Sequence, residues 1–288
     1  MTRVLQTSSV FFQRLTRAVA AVATALALNP GSLFAQTDYY NTDGGRPITV
    51  EDAYPTERYA FELQLAPLRL ERANGGLYTW GIEPEIAYGI LPRTHIEIGV
   101  PIAYVDRGPV GKTVGAAGLD ISMLHNLNAE TSIPALGIAG ELLLPLGGLA
   151  PENAYFSAKG IATRTLTRAR FHVNGQYTFG KTPTAPSGSS LTTGGGVAEV
   201  SRWLLGLAVD RAFPLKSTLV TAESFVRQPI QEGDETEWNI GAGIRYQVSP
   251  HLALDGGLGK RLTGDDQGWF ATFGLARAFS IRSLIPVR

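Results

Sequence analysis

The sequence contains no cysteine, so an exported form of it would have neither disulfide bonds nor thiolate metal sites. Charged residues are scarce: they make up 17 % of the 288 residues, against about 25 % in an average soluble protein. No stretch reaches the roughly 18 consecutive apolar residues of a membrane-spanning helix, although 44 % of the residues are apolar. The apolar residues must therefore be interleaved with polar or small ones.

Residues 1–35 have the pattern of a secretory signal peptide. Arg3, Arg14 and Arg17 precede an apolar core of 11 residues, Ala18–Leu28, and the small residue Ala35 precedes the expected cleavage point. A helix of that length cannot cross a hydrocarbon core of about 30 Å. Removal of residues 1–35 takes three of the 25 basic residues and none of the 25 acidic ones, which leaves a net charge of −3. This balance gives no reason to expect a nucleic-acid partner.

Residues 36–56 form a polar segment with two adjacent glycines and no sustained periodicity. Three interpretations stay open for it: a short plug, a periplasmic lead-in, or a disordered segment.

The stretch from Tyr78 to Tyr104 alternates with a period of two. Ile82, Ile86, Ile96 and Ile98 fall on one face and polar or small residues on the other, and the short turn 91–94 divides the two runs. This pattern predicts a β-hairpin. Similar runs recur along the chain and give twelve candidate strands, each about as long as a tilted membrane strand. We therefore predict an all-β fold, a transmembrane antiparallel up-and-down β-barrel of about 12 strands over residues 57–280, followed by a tail, residues 281–288.

The connections between the predicted strands alternate in length. Those after even strands are tight, whereas several after odd strands are long and rich in Gly, Pro and acidic residues. Short turns at one end and long loops at the other are typical of outer-membrane barrels. The longest connection, 180–197, is a candidate gating loop.

The aromatic residues sort into two levels, which predicts two girdles at the membrane interfaces. The predicted girdle residues are Tyr78, Trp80, Trp203, Trp238, Trp269, Tyr59, Tyr88, Tyr246 and Phe279. A soluble barrel or sandwich, with its apolar face turned inward, is the alternative. Such a fold gives no reason for tryptophans to sort in this way.

The polar face of each strand supplies the candidate pore lining. The residues are Glu62, Gln64, Glu83, Glu85, His95, Glu97, Asp120, Glu141, Lys159, His172, Asn174, Gln176, Arg202, Asp210, Glu223, Arg227, Asn239, Arg245, Asp255 and Arg261. The first five strands contribute mainly acidic groups and the later ones most of the basic groups. We hypothesise a transverse field that orients dipolar or zwitterionic solutes. Alternatively, these charges pair with one another and fill a closed lumen.

Several short motifs suggest a family. They are RPITVEDAYPTERYAFELQL, IEPEIAYGILPRTHIEIGVPIAY, Gly118-Leu119-Asp120, ELLLPLGG, WNIGAGIRYQVSPHLALDGGLGKRL and FATFGLARAF. With these motifs the chain resembles, over most of residues 46–279, the outer-membrane β-barrel transporters named after the meta-cleavage pathway of phenol degradation. Members usually end on the aromatic residue of the last strand, whereas this chain continues past Phe279. The resemblance implies a pore or transporter, often for small aromatic or hydrophobic compounds.

The leading functional prediction is passive diffusion of small solutes through the outer membrane of a Gram-negative bacterium. The expected partners are outer-membrane lipid, an unidentified solute and the outer-membrane assembly machinery. A structural or surface-interaction barrel with a closed lumen is the alternative. A barrel hydrolase is the least favoured prediction, because no His-x-Ser pair occurs. The four histidines do not cluster at metal-ligand spacing, so neither catalysis nor a metal or other cofactor is expected.

Overall fold

A computed structural model describes residues 41–65, 68–72, 78–106, 112–183, 200–212, 217–230, 233–264 and 267–281. The predicted signal peptide, most of the predicted gating loop and the tail beyond Ile281 lie outside these ranges. Within them the chain forms sixteen β-segments, and no helix is long and apolar enough to cross a membrane. The segments are β1 (Ala60–Leu65), β2 (Leu68–Arg72), β3 (Tyr78–Ile82), β4 (Pro84–Leu91), β5 (Thr94–Gly99), β6 (Ile102–Asp106), β7 (Lys112–Ala116), β8 (Leu119–Asn126), β9 (Ala135–Leu144), β10 (Tyr155–Thr165), β11 (Arg170–Phe179), β12 (Ser201–Ala212), β13 (Thr218–Pro229), β14 (Glu237–Ser249), β15 (Leu252–Arg261) and β16 (Trp269–Ser280).

These segments build twelve wall strands. The first eight segments join in consecutive pairs into four long strands, and β9 to β16 are continuous strands. Each wall strand pairs antiparallel with its neighbours in the sequence, and β1 pairs with β16, with Ala60 opposite Ser280. The sheet therefore closes on itself, which confirms the predicted twelve-stranded up-and-down barrel.

Two strand boundaries were predicted too short. The alternation of the first predicted strand ends at Ala66, whereas the strand continues as β2 to Arg72. The alternation of the fourth begins at Ala117, whereas the strand already begins at Lys112. In each case the alternation shifts by one residue: Gln64 and Arg69 both face inward, and Val114 and Ile121 both face outward. An extra residue in a strand reverses the faces of everything beyond it, so a period-two pattern is lost at that point.

The two faces of the wall differ sharply in chemistry. Large apolar side chains stay exposed along the whole outer surface, for example Ile98, Leu207 and Leu258 at 46 %, 57 % and 67 %. Polar side chains such as His172 and Arg245 are buried inside. This is the reverse of a soluble protein, in which large exposed apolar patches are rare.

Most described aromatic residues of the predicted girdles lie on the outer face. Trp238, Trp269 and Tyr246 are exposed there, and Trp80 stacks on Tyr104 with ring centroids 5.6 Å apart. Phe61 stacks between Tyr88 and Phe279, at 4.4 Å and 5.4 Å. Tyr59 is not in a strand: it precedes β1 with a φ of 66°, and the Arg58 guanidinium lies 4.5 Å from its ring centroid. The side chain of Tyr78 lies outside the described part.

Candidate functional site: the barrel lumen

Residues 41–57, here called the lumen segment, lie inside the barrel. Their side chains and backbone contact inward-facing residues on opposite sides of the wall, including Glu62 of β1, His95 of β5, Asn174 of β11 and Asp255 of β15. A plug is one of the three interpretations of the polar segment, and it stays a prediction.

The backbone of the lumen segment is bound by wall side chains instead of by a neighbouring strand. Glu223 accepts hydrogen bonds from the N–H groups of Thr49 and Val50, at 2.8 Å and 3.0 Å. Asn174 accepts from the Glu51 N–H at 2.9 Å and donates to the Glu51 carbonyl at 2.8 Å. Buried backbone groups need partners, and here the polar face of the barrel provides them.

A buried ion network joins the lumen segment to three strands. It consists of Asp43 and Arg46 of the segment and Glu62, Arg245 and Asp255 of the wall. Nη2 of Arg46 lies 2.6 Å from Asp43 and 2.9 Å from Glu62, and its Nη1 lies 3.1 Å from Asp255. Arg245 Nη2 lies 2.9 Å from Asp43. In this network, two guanidinium groups lie among three carboxylates. Arg46 is fully buried.

Thr163, His172 and Asp210 form a hydrogen-bonded chain beside the lumen segment. Thr163 Oγ1 lies 3.0 Å from His172 Nδ1, and His172 Nε2 lies 2.8 Å from Asp210, which also binds Arg170. The order resembles that of a hydrolase triad. Thr163 is completely buried, however, and its hydroxyl accepts a hydrogen bond from the Ala53 N–H at 3.0 Å. This chain therefore attaches the lumen segment to the wall, and the described residues enclose the hydroxyl.

A cavity of about 250 Å³ lies next to the lumen segment. Its acidic wall, as we call it, consists of five carboxylates from β4, β5, β8 and β9 and the residue before β4: Glu83, Glu85, Glu97, Asp120 and Glu141. Lys159, Arg69 and Arg227 line the same cavity, but each has a carboxylate partner: Glu51, Glu71 and Glu237 respectively.

Most of the acidic wall has no basic partner. In the described part of the chain, no lysine, arginine or histidine nitrogen lies within 4.0 Å of the carboxylates of Glu83, Glu85, Asp120 or Glu141. Glu97 accepts a hydrogen bond from Ser122 at 3.1 Å and lies 3.9 Å from His95. Carboxylates that line one small cavity either attract cations or retain protons.

The predicted pore-lining residues thus fall into three groups. Those that bind the lumen segment are Glu62, Gln64, His95, Lys159, Asn174, Glu223, Arg245 and Asp255. Those that line the cavity without binding the segment are Glu83, Glu85, Glu97, Asp120, Glu141, Gln176 and Arg227. The others are His172 and Asp210 in the chain described above, Arg202, Asn239 and Arg261.

The last three residues of this third group, Arg202, Asn239 and Arg261, belong to strands β12, β14 and β15 of the barrel wall. Arg202 donates to the carbonyls of Thr178 and Gly180, at 3.0 Å each. Arg261 lies 3.2 Å from Glu237. Asn239 is fully buried, and its side-chain amide makes no hydrogen bond to any residue in the described part.

Sequence reasoning missed several lumen residues. Arg69 and Glu71 follow the parity shift in the first wall strand, where the alternation no longer indicates the inner face. Asp43, Arg46 and Glu51 belong to a segment without periodicity, so no pattern predicted their contacts. The only indication of these contacts in the sequence was the single arginine, Arg46, among acidic and small residues in 36–56.

No group of three or more His, Asp or Glu side chains in the described ranges is arranged to hold a metal ion. The lumen offers charged and hydrogen-bonding groups facing a cavity. Such an arrangement can bind, orient and select small polar solutes.

No protein-family model and no curated protein matches the chain. Solved structures do share its fold. The COG4313 outer membrane channel from Pseudomonas putida F1 superimposes with a TM-score of 0.53 over 83 % of this chain and 100 % of that one, at 12 % identity. The beta domain of the Bordetella autotransporter Brka gives 0.49 over 76 % and 99 %, at 14 % identity. The KdgM porin in complex with disordered oligogalacturonate gives 0.48 over 76 % and 99 %, at 10 % identity. At 12 % identity the likeness to the first of these structures shows a common barrel fold. The resemblance to the phenol-pathway transporters stays a prediction.

Proposed function

We propose that the chain is an outer-membrane channel through which small solutes diffuse passively. A closed barrel with an apolar exposed outer face and a polar interior suits a bilayer, because every strand edge is paired. Insertion would involve outer-membrane lipid and the assembly machinery of a Gram-negative bacterium. The barrel fold shared with a known outer-membrane channel supports this proposal.

The observation that carries the proposal is the acidic wall. Four of its five carboxylates have no basic partner in the described residues, and all five face one cavity. Charged side chains along a pore set the sign of the ions that pass. The channel should therefore favour cations over anions.

The solute class is the finer part of the proposal. Lys159, Arg69 and Arg227 line the cavity together with the acidic wall, and this separation of charge supports the orientation of dipolar or zwitterionic solutes. The resemblance to the phenol-pathway transporters suggests aromatic or hydrophobic compounds. A dipolar aromatic solute satisfies both arguments.

Conductance of the refolded protein in a planar bilayer tests this function. Discrete current steps, with a reversal potential that indicates cation selectivity in a KCl gradient, are the expected result. The triple variant Glu83→Gln, Glu85→Gln, Glu97→Gln should shift selectivity toward anions. The matched control is Glu57→Gln with Glu235→Gln, two exposed carboxylates away from the cavity. Equal selectivity in both variants would contradict the role of the acidic wall.

A barrel with a permanently closed lumen is the second candidate. The many bonds between the lumen segment and the wall favour it. A folded protein that migrates as a heat-modifiable barrel on gels but never conducts would support this candidate and refute the channel. Nothing in the described lumen favours a hydrolase, since the hydroxyl of Thr163 is enclosed.

A further inference from the structure

We propose that residues 42–52, here called the gate loop, leave the lumen as one unit to open the pore, and that the buried ion network around Asp43 and Arg46 holds the loop in place. This inference rests on the proposed channel function. It goes beyond that function by identifying the moving part, its fixed end and the contacts that keep it closed.

The gate loop is closed on itself. The Asp52 N–H donates to the Thr42 carbonyl at 3.1 Å, and the Thr42 N–H donates to the Asp52 carboxylate at 3.0 Å. Within the loop, the Arg46 N–H donates to the Asp43 carbonyl at 3.2 Å. Because its two ends are tied together, the loop keeps its shape without the wall and can move as a body.

The chain after the gate loop is fixed. Ala53 is bound on both sides, by Thr163 and by Asn126, whose side chain donates to the Ala53 carbonyl at 2.9 Å. The Tyr59 N–H donates to the Gly89 carbonyl at 2.7 Å. A Cβ on Gly89 would lie 1.9 Å from the Glu57 carbonyl oxygen, so this part of the segment lies directly against the wall. Any hinge therefore lies at the Asp52–Ala53 junction.

Polar contacts dominate the attachment of the gate loop. Its apolar contacts with the wall form one small cluster of buried residues, Ile48 and Val50 with Ala208. Its charged contacts are the ion network, the pair Lys159–Glu51 at 2.7 Å and the pair Arg170–Asp52 at 3.8 Å. Burial of apolar surface would favour the seated loop, whereas the separated charges of a buried ion pair regain hydration, which offsets much of the attraction that is lost.

Arg46 is the critical member of the ion network. Its guanidinium carries bonds to Asp43, Glu62, Gln64 and Asp255 at once. When the loop leaves, Arg46 and Asp43 depart together, and the wall keeps Glu62, Asp255 and Arg245. Because the departing pair is neutral, the wall part of the network keeps the one net negative charge that the whole network carried.

A reversible disulfide tests the movement. The native chain has no cysteine, so the background is clean. A Cβ on residue 206 would lie 2.5 Å from Val50 Cγ2, and disulfide-bonded cysteines have Cβ atoms about 3.5–4.5 Å apart. We expect oxidised Val50→Cys/Gly206→Cys to lose its current steps and to regain them with a reductant.

The matched control joins the fixed part to the wall. A Cβ on residue 137 would lie 3.4 Å from the Ala53 Cβ, so Ala53→Cys/Gly137→Cys can also form a disulfide. This pair should leave the conductance unchanged in both redox states. Loss of current on oxidation of the control pair would overturn the hinge. Undiminished current in oxidised Val50→Cys/Gly206→Cys would show that solutes pass with the loop in place and would overturn the gate.

Thiol labelling separates the gate from the channel function. Val50 is fully buried, so Val50→Cys should react slowly with a membrane-impermeant thiol reagent. Adding Arg46→Gln should accelerate labelling by about tenfold or more, since it leaves buried carboxylates without their partner. The control Arg202→Gln, which touches no residue of the gate loop in the described structure, should not. Faster labelling without conductance would keep the gate and refute the channel; unchanged labelling with Arg46→Gln would refute the gate.

Discussion

Asn174 binds both backbone groups of Glu51, as a neighbouring β-strand would. Its amide oxygen accepts from the Glu51 N–H at 2.9 Å and its amide nitrogen donates to the Glu51 carbonyl at 2.8 Å. Asn174 is 1 % exposed, so water cannot replace these bonds in the folded state.

Truncation of Asn174 should therefore destabilise the lumen segment. Asn174→Ala leaves the N–H and the carbonyl of Glu51, which are partly buried, without this partner, and an unpaired buried group costs about 1–3 kcal/mol as an upper bound. Urea unfolding in detergent micelles should show a lower free energy of unfolding. Gln176→Ala is the matched control, because Gln176 faces the cavity two residues along the same strand. Equal losses in both variants would contradict the role of Asn174.

Gly257 leaves room for the lumen segment. A Cβ there would lie 2.3 Å from the Pro47 carbonyl oxygen and 2.7 Å from Thr272 Oγ1. Gly257→Ala should displace Pro47 and lower the free energy of unfolding by about 1–3 kcal/mol. In Gly256→Ala the new methyl group would make only ordinary contacts, the nearest at 3.6 Å. The neighbouring substitution should therefore be nearly neutral in the same unfolding experiment.

Leu207 tests the orientation of the barrel in a bilayer. It is 57 % exposed near the middle of β12. In a bilayer, Leu207→Arg should cost about 2–4 kcal/mol and impair folding into vesicles. The control Leu146→Arg, at an exposed position beyond the end of β9, should cost much less. Full tolerance of Leu207→Arg would favour a soluble barrel.

Lys159 should act on selectivity in the opposite direction from the acidic wall. Its Nζ lies 2.7 Å from Glu51 at the cavity. Lys159→Gln removes a positive charge from the cavity and should make the channel more selective for cations. The reversal potential in a KCl gradient measures this shift, and a shift toward anions would contradict the assignment.

Glu130 lies in the turn between β8 and β9 and should make stability depend on pH. Partial burial opposes its ionisation, but hydrogen bonds from the Thr165 N–H and the Tyr54 hydroxyl, with the charge of Arg164, hold the pKa of Glu130 below its usual value of 4.5. A lowered carboxyl pKa stabilises the folded state above the unfolded pKa, and this contribution is lost as the pH falls through the folded pKa.

The ion pair of Glu130 with Arg164 is partly exposed. The lowered pKa of Glu130 should therefore contribute only about 0.5–1 kcal/mol to the free energy of unfolding. Urea unfolding of the native protein should therefore show a loss below about pH 4.5 that Glu130→Gln lacks. Glu57→Gln, at an exposed position, should keep the loss. If Glu130→Gln retained the same pH dependence, another group would be responsible.

The barrel was predictable because a wall with one apolar and one polar face leaves a period-two pattern in every strand. Even β10, in which small residues occupy both faces, forms over Tyr155–Thr165. The pattern failed where the wall itself changes register. Arg69 and Glu71 were missed because the inward-facing parity of β1 is reversed in β2.

The contents of the lumen were much harder to predict. Alternation indicates that Glu223 and Asn174 point inward, but not whether they meet solvent, another side chain or a backbone. Their partners lie in residues 49–51, more than 120 positions earlier in the chain, and that segment has no period of its own. Contacts of this kind depend on tertiary structure, and no local pattern records them.

The pairing of Ala60 with Ser280 has a consequence for the order of assembly. The wall closes only after its last strand has been synthesised, whereas the groups that bind residues 42–56 are spread over strands from β1 to β16. The docking surface for this segment therefore exists only in the finished cylinder. A seated segment is accordingly a sign that the whole barrel has been completed.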